Sequence, residues 1–196
     1  MGHWDSGDYS FNCEFMKPPL HGFAPDDFQT PPEALMPLLP FLKKNWTIWE
    51  CAQGKGYLTK SLLAYGYQVI GSDILTGQDF LVWKPEQFDC IITNPPYSAK
   101  HKFLIRCYAL GKPFALLLPL TTLETRIRQK LFARYGVEII LFDKRIEFCL
   151  PSDMVKKSKA SHSWFATAWF TWGLDIGKQL SFVSLTETKQ KVMELV

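Results

Sequence analysis

Short apolar runs alternate along this chain with segments of helical spacing, and no other feature narrows the possible folds as far. Thr47–Ala52 (TIWECA), Tyr67–Ile74 (YQVIGSDI), Cys90–Thr93 (CIIT) and Phe114–Leu120 (FALLLPL) are the apolar runs. A strand without polar alternation is one that helices cover on both faces, as in parallel sheets. Helical spacing falls between them, at Pro32–Lys44, Gly56–Gly66, Ser98–Leu110 and Leu123–Gly136. Two long strand-like runs, Val137–Phe148 and Trp164–Gly173, then follow without an intervening helix, and Leu180–Leu185 offers one more. The pattern predicts an α/β fold: a mostly parallel sheet flanked by helices, with an antiparallel strand near the C-terminus. Ligands of such sheets bind beyond the carboxyl ends of the strands, where the strand order reverses.

Local punctuation adds detail. Thr30 is placed to cap the helix that Pro31 and Pro32 open, and Pro37 and Pro40 should kink or shorten it. Gly66 closes the next helix, and Asp79–Trp83 (DFLVW) reads as a short strand. Leu123, Ile127, Leu131 and Tyr135 recur at four-residue spacing, which predicts an amphipathic helix with an arginine-rich outer face. The first 25 residues lack periodicity and read as an N-terminal arm, leaving residues 26–196 as a single domain.

With 196 residues, 47% of them apolar and 21% charged, the chain can bury one sizeable core. The longest nearly continuous apolar run, Pro113–Leu120, falls far short of the ~20 residues a membrane-spanning helix needs. The N-terminus has neither the basic head nor the apolar core of a secretory signal, so an intracellular, cytoplasmic protein is expected. Cys13, Cys51, Cys90, Cys107 and Cys149 form no C-x-x-C pair, which argues against a disulfide framework and a zinc site. A net charge of +3 permits a polyanionic partner without requiring one.

Chemistry concentrates at strand ends. Glu50-Cys51-Ala52-Gln53-Gly54-Lys55-Gly56 closes the first strand with a loop whose glycines let the backbone turn tightly or lie against a ligand. Thr59 stands where a dinucleotide fingerprint needs a third glycine, so hydride-transfer chemistry is disfavoured. Glu50 is an acid at the tip of a buried strand, costly unless it meets a cation or hydrogen-bond donors. Asp73 ends the second strand, as a turn residue or as an acceptor for ribose hydroxyls. Asp79 and Phe80 follow the turn residues Thr76, Gly77 and Gln78. Asn94-Pro95-Pro96-Tyr97 comes directly after a hydrophobic strand that two prolines must stop.

An amino nitrogen conjugated to a π system is a weak nucleophile. It needs acceptors that hold its hydrogens in the geometry of the developing cation. The Asn94 side-chain oxygen and the Pro95 carbonyl, on a rigid Pro-Pro turn, can supply them, with Tyr97 stacking on a base.

The order E-x-A-x-G-x-G, strand-ending acid, G-x-D-F, N-P-P-Y resembles the S-adenosylmethionine-dependent amino-methyltransferases, most closely the DNA adenine N6 type. Phe28-Gln29-Thr30-Pro31 is similar to that family's additional cofactor motif, and the resemblance runs from about Phe28 to Gly173. It implies a Rossmann-like class I methyltransferase fold, S-adenosyl-L-methionine as cofactor and no metal. Phe28, Thr30, Pro31, Glu50, Ala52, Gly54, Gly56, Asp73, Ile74, Asp79, Phe80 and Asn94 would then form the cofactor site. Within it, Glu50 would hold the ammonium of the methionine moiety and Asp73 the ribose. Asp79 would hold the adenine amino group, with Phe80 packing on the ring. Asn94, Pro95, Pro96 and Tyr97 would be the catalytic set.

The motif is shared with enzymes acting on ribosomal RNA and on a protein glutamine, so RNA or protein amide methylation is the alternative to DNA. A non-catalytic subunit of this fold is a third reading. The expected partner is nucleic acid, DNA first, with Lys156, Lys157 and Lys159 as phosphate contacts beside Tyr97, or as a solvated loop. His162 in the same segment reads as a solvated loop histidine. The chain has no room for a target-recognition insertion, which predicts relaxed sequence preference, a specificity-conferring partner or a homodimer.

Overall fold

The computed structural model describes residues 28–148 and 165–186. The N-terminal arm, the lysines of 156–159, His162, Cys13 and Cys149 lie outside them. Helix α1 (Pro32–Leu35) passes into a 3-10 turn at Met36–Phe41, strand β1 covers Thr47–Glu50, and α2 covers Tyr57–Ala64. Strands β2 (Gln68–Gly71) and β3 (Cys90–Thr93) follow, then α3 (Lys100–Leu110), β4 (Phe114–Pro119) and α4 (Arg126–Tyr135). Strands β5 (Glu138–Phe142), β6 (Thr167–Trp172) and β7 (Leu180–Val183) complete the order.

These seven strands form one sheet in the order β2-β1-β3-β4-β6-β5-β7. Strand β6 alone runs against its neighbours, pairing antiparallel with β4 and β5, and the other pairings are parallel. The expected antiparallel strand is therefore β6. The order turns back at β1, whose neighbours β2 and β3 both follow it in the chain. The carboxyl ends of β1 and β3 thus open on the crevice where Glu50 and Asn94 stand.

Both faces of the sheet are buried, which explains the unbroken apolar runs. Ile48, Cys90, Ile92, Ala115 and Leu117 pack under α1 and α2, in a core that includes Ala34, Leu35, Leu58 and Leu62. The alternate residues Trp49, Ile91, Phe114, Leu116 and Phe170 pack on the opposite face, under Phe103, Leu104 and Cys107 of α3. Trp169 binds the first layer to the sheet: its indole N–H donates to the Ala34 carbonyl at 2.6 Å, and its side chain is fully buried. Trp169→Phe keeps a ring but removes that donor from a dry site. The variant should lose about 1–3 kcal/mol, read as a lower urea midpoint with an unchanged slope.

Three local expectations are corrected. Asp79–Trp83 is a turn, not a strand. The Asp79 carboxylate accepts from Leu81 N–H at 2.9 Å, and its carbonyl accepts from Val82 and Trp83. Thr30 does not cap α1; the N-cap is Pro31, without a side-chain hydrogen bond. The four-residue ridge points inward only in part: Leu131 packs against the core, whereas Leu123 just before α4, Ile127 and Tyr135 are exposed and Arg128 is buried. Arg128 turns in because its guanidinium donates to the Thr122 carbonyl at 2.6 Å and the Thr121 carbonyl at 3.1 Å, pinning the 3-10 turn Leu120–Leu123 after β4. Pro37 and Pro40 do shorten α1, which becomes a 3-10 turn after one helical turn.

Candidate active site

Glu50 is the last residue of β1 and 1% exposed. Its Oε1 accepts from the Ala52 N–H at 3.1 Å and from the Thr93 hydroxyl, and no basic side chain among the described residues pairs with it. Burial pushes its carboxyl up to about 8. The two hydrogen bonds pull the other way, and the nearby Asp73 adds to the rise. A buried carboxyl without a basic partner is stabilised in its charged form by any cation that reaches it.

The glycine loop is built around the same acid. Gly54 has φ +50 and Gly56 φ +76, conformations that other residues adopt only under strain. A Cβ on Gly54 would stand 3.0 Å from the Gln29 amide, whereas above Gly56 the space is open. Gln29 also accepts from the Lys55 N–H at 3.2 Å. This residue of the Phe28–Pro31 segment was absent from the expected site. Its signal, a polar side chain between two motif positions, acquires meaning only once the segment is seen lying on the loop.

Asp73 joins the two strand ends. Its Oδ2 accepts from the Gly54 N–H and its Oδ1 from the Leu75 N–H, each at 2.9 Å, so it serves as a turn residue while each oxygen keeps lone-pair capacity. Ile74 beside it is exposed and Asp79 half-buried, both open to a ligand. Phe80 is 2% exposed, its ring stacked on Phe103 at 4.5 Å and tilted against Trp49 at 5.1 Å, so that ring serves the core.

Asn94 leaves β3 next to Thr93, the residue bonded to Glu50, so the two strand ends are one hydrogen bond apart. The Asn94 Nδ2 donates to the Phe28 carbonyl at 2.8 Å. That bond fixes the amide, and the buried Oδ1 is left with no partner among the described residues. A buried acceptor costs free energy until a donor arrives. Pro95 is buried, Pro96 half-buried, and Tyr97 begins a 3-10 turn that leads into α3. The Tyr97 ring lies 6.4 Å from Phe28 in a stacked arrangement and 5.4 Å from Phe165 edge-on, and Phe148 lies 5.4 Å from Phe28. An aromatic wall therefore stands beside an unsatisfied acceptor.

No family model matches the chain, and no curated protein matches it. Among solved structures, it is similar to the methyltransferase subunit of a type I restriction-modification system from Streptococcus thermophilus. The TM-score is 0.54 at 15% identity, over 86% of this chain and 53% of that one. It is also similar to a modification subunit assigned to a type I restriction enzyme from Vibrio vulnificus YJ016. There the TM-score is 0.50 at 12% identity, over 74% of this chain and 44% of that one. The chain spans about half the length of each of these two structures. The fold is the Rossmann-like class I methyltransferase fold. Among the described residues, no helix is long and apolar enough to cross a membrane.

Proposed function

We propose that this chain transfers a methyl group from S-adenosyl-L-methionine to the N6 amino group of adenine in DNA. The observation that carries the reading is the Asn94 Oδ1, buried and without a donor among the described residues, one residue from the hydroxyl that bonds Glu50. Glu50, ionised on binding, holds the ammonium of the methionine moiety. Asp73 receives the ribose hydroxyls with its remaining lone pairs, and Asp79 the adenine amino group. Phe28, Thr30, Pro31, Ala52, Gly54, Gly56 and Ile74 line the way between them, and the buried Thr30 hydroxyl, without a partner among the described residues, adds a donor. These residues fit such a group: an acid short of a cation, a loop open above Gly56, and polar atoms awaiting partners. When bound, the cofactor supplies an electrophilic methyl carbon on a sulfonium, which leaves as the neutral thioether.

The target nitrogen would donate its hydrogens to Asn94 Oδ1 and the Pro95 carbonyl, which stabilise the charge that develops as its lone pair attacks the methyl carbon, and the methylated nitrogen then releases one proton to solvent. Tyr97 stacks on the base, and Pro96 keeps the turn rigid. A base paired in a duplex cannot reach this crevice, so the substrate is single-stranded or flipped out. The test is incubation with radiolabelled S-adenosylmethionine and separate pools of DNA, RNA and protein, then mass spectrometry of the labelled pool. N6-methyladenine in DNA is the expected product. Label confined to RNA or to protein amides would move the substrate assignment, and no label in any pool would overturn the enzyme reading.

A further inference from the structure

The basic charge of this chain is segregated. Between Tyr97 and Tyr135 stand eight Lys and Arg against the single acid Glu124, so the rest of a chain with net charge +3 is acidic overall. On α4 the charges have a direction. Arg126, Lys130 and Arg134 recur at every fourth residue and all are exposed, so they form one stripe along the helix. Successive members are about 6 Å apart along the axis, comparable to the distance between neighbouring phosphates of one strand. Arg126 and Lys130 have no hydrogen-bond or ion-pair partner among the described residues, and Arg134 rests over the Tyr135 ring at 5.1 Å.

Two apolar side chains accompany the stripe: Leu123, 37% exposed, and Ile127, 63% exposed. Topology places this corner. Strand β4 lies next to β3 and runs parallel to it, so the turn after β4 emerges at the same rim of the sheet as Asn94 and Tyr97, and α4 runs from there back to the other edge, where the Trp172 indole donates to the Tyr135 carbonyl. Arg128, through its two bonds to the Thr121 and Thr122 carbonyls, holds that turn in place.

We infer that the α4 stripe, from Leu123 at that rim to Arg134 towards the opposite edge of the sheet, is the docking surface for the phosphate backbone of the nucleic-acid strand whose base enters the Asn94–Tyr97 crevice. This rests on the function proposed above and names the surface its substrate uses. Arg126, Lys130 and Arg134 contact successive phosphates, and Leu123 and Ile127 pack on sugars or an unstacked base face. An acidic protein could answer the charge, but it has no need of a stripe that leads to the rim of a base-binding crevice. Lys156, Lys157 and Lys159, the contacts expected from the sequence, lie outside the described residues and are tested beside this helix.

The experiment measures fluorescence anisotropy of a labelled adenine-containing oligonucleotide, single-stranded and duplex, across a salt series. The proteins are the wild type, Arg126→Ala/Lys130→Ala/Arg134→Ala, Arg126→Lys/Arg134→Lys and Lys156→Ala/Lys157→Ala/Lys159→Ala. Binding of S-adenosylhomocysteine by calorimetry reports whether each variant is folded. The α4 triple-alanine variant should bind about 10- to 100-fold more weakly at low salt, with a log–log salt slope shallower by roughly 2–3, and with cofactor affinity unchanged. The double-lysine variant should retain most of the affinity. Triple-alanine binding equal to wild type, or a loss carried wholly by the 156–159 variant, overturns the surface. Nucleic-acid binding that depends on α4 without methyl transfer overturns the function and leaves the surface standing. A wild type that binds no nucleic acid overturns both.

Discussion

Asn94→Ala is expected to lower turnover about 100- to 1000-fold, the loss that follows removal of one preorganised acceptor from a developing charge. The amide is held by its Nδ2 bond to the Phe28 carbonyl, so its oxygen is aimed before any substrate arrives. Truncation removes the acceptor and its aim together. Because Asn94 is not bonded to Glu50, Asp73 or the glycine loop, cofactor affinity should change little. Single-turnover kinetics and calorimetry separate the two quantities: a fall in kcat with unchanged cofactor Kd is the expected pattern. Asn94→Asp keeps an acceptor but faces the Phe28 carbonyl with a second oxygen, so it should fall between alanine and wild type. Wild-type turnover in Asn94→Ala would remove the amino-transfer assignment.

Glu50→Gln should weaken cofactor binding by roughly 2–3 kcal/mol, the worth of a charge-assisted partner in a dry site. The same residue makes a pH signature. With the carboxyl pushed up to about 8 by burial, the cofactor-free protein carries it protonated at neutral pH. Binding a cation then requires the proton to leave. Affinity should rise with pH and level off above about 8, and calorimetry in buffers of different ionisation enthalpy should register release of about one proton near neutrality.

Stability runs the opposite way. Below the unfolded value both states are protonated. As pH climbs from the ordinary carboxyl value of 4.5 towards about 8 the unfolded chain loses a proton the native chain keeps, so stability falls across that window and is flat above it. Glu50→Gln should abolish that component in urea unfolding at the two ends of the window. A pH-independent cofactor affinity in the wild type would contradict the buried, cation-seeking role of Glu50.

Much of this architecture is legible in one dimension because the forces that set it are local. Apolar runs without polar alternation mark strands covered on both faces, and Pro95 stops β3 since a proline cannot join the ladder. Two strand-like runs without helical spacing between them predict an antiparallel pairing, and β5 pairs antiparallel with β6. The acids at strand tips and the Asn94–Tyr97 turn were readable as well, since a charge or an amide after a buried strand needs a reason to be there.

Other features depended on neighbours that no local pattern names. Asp79–Trp83 has strand composition, yet the Asp79 carboxylate and carbonyl capture the following N–H groups and curl it into a turn. The ridge of α4 has helical periodicity, but two carbonyls freed after β4 draw Arg128 inward and rotate Leu123 and Ile127 into solvent. Gln29 lies far from Gly54 in sequence and touches it only because the chain folds back over the loop. Residue types and spacings determined which groups this protein has for chemistry. The tertiary structure decided which of their atoms are already satisfied, because a hydrogen-bond partner is a matter of position in space: among the described residues Asn94 Oδ1 has none and Glu50 is bonded but has no basic partner, and there function is sought.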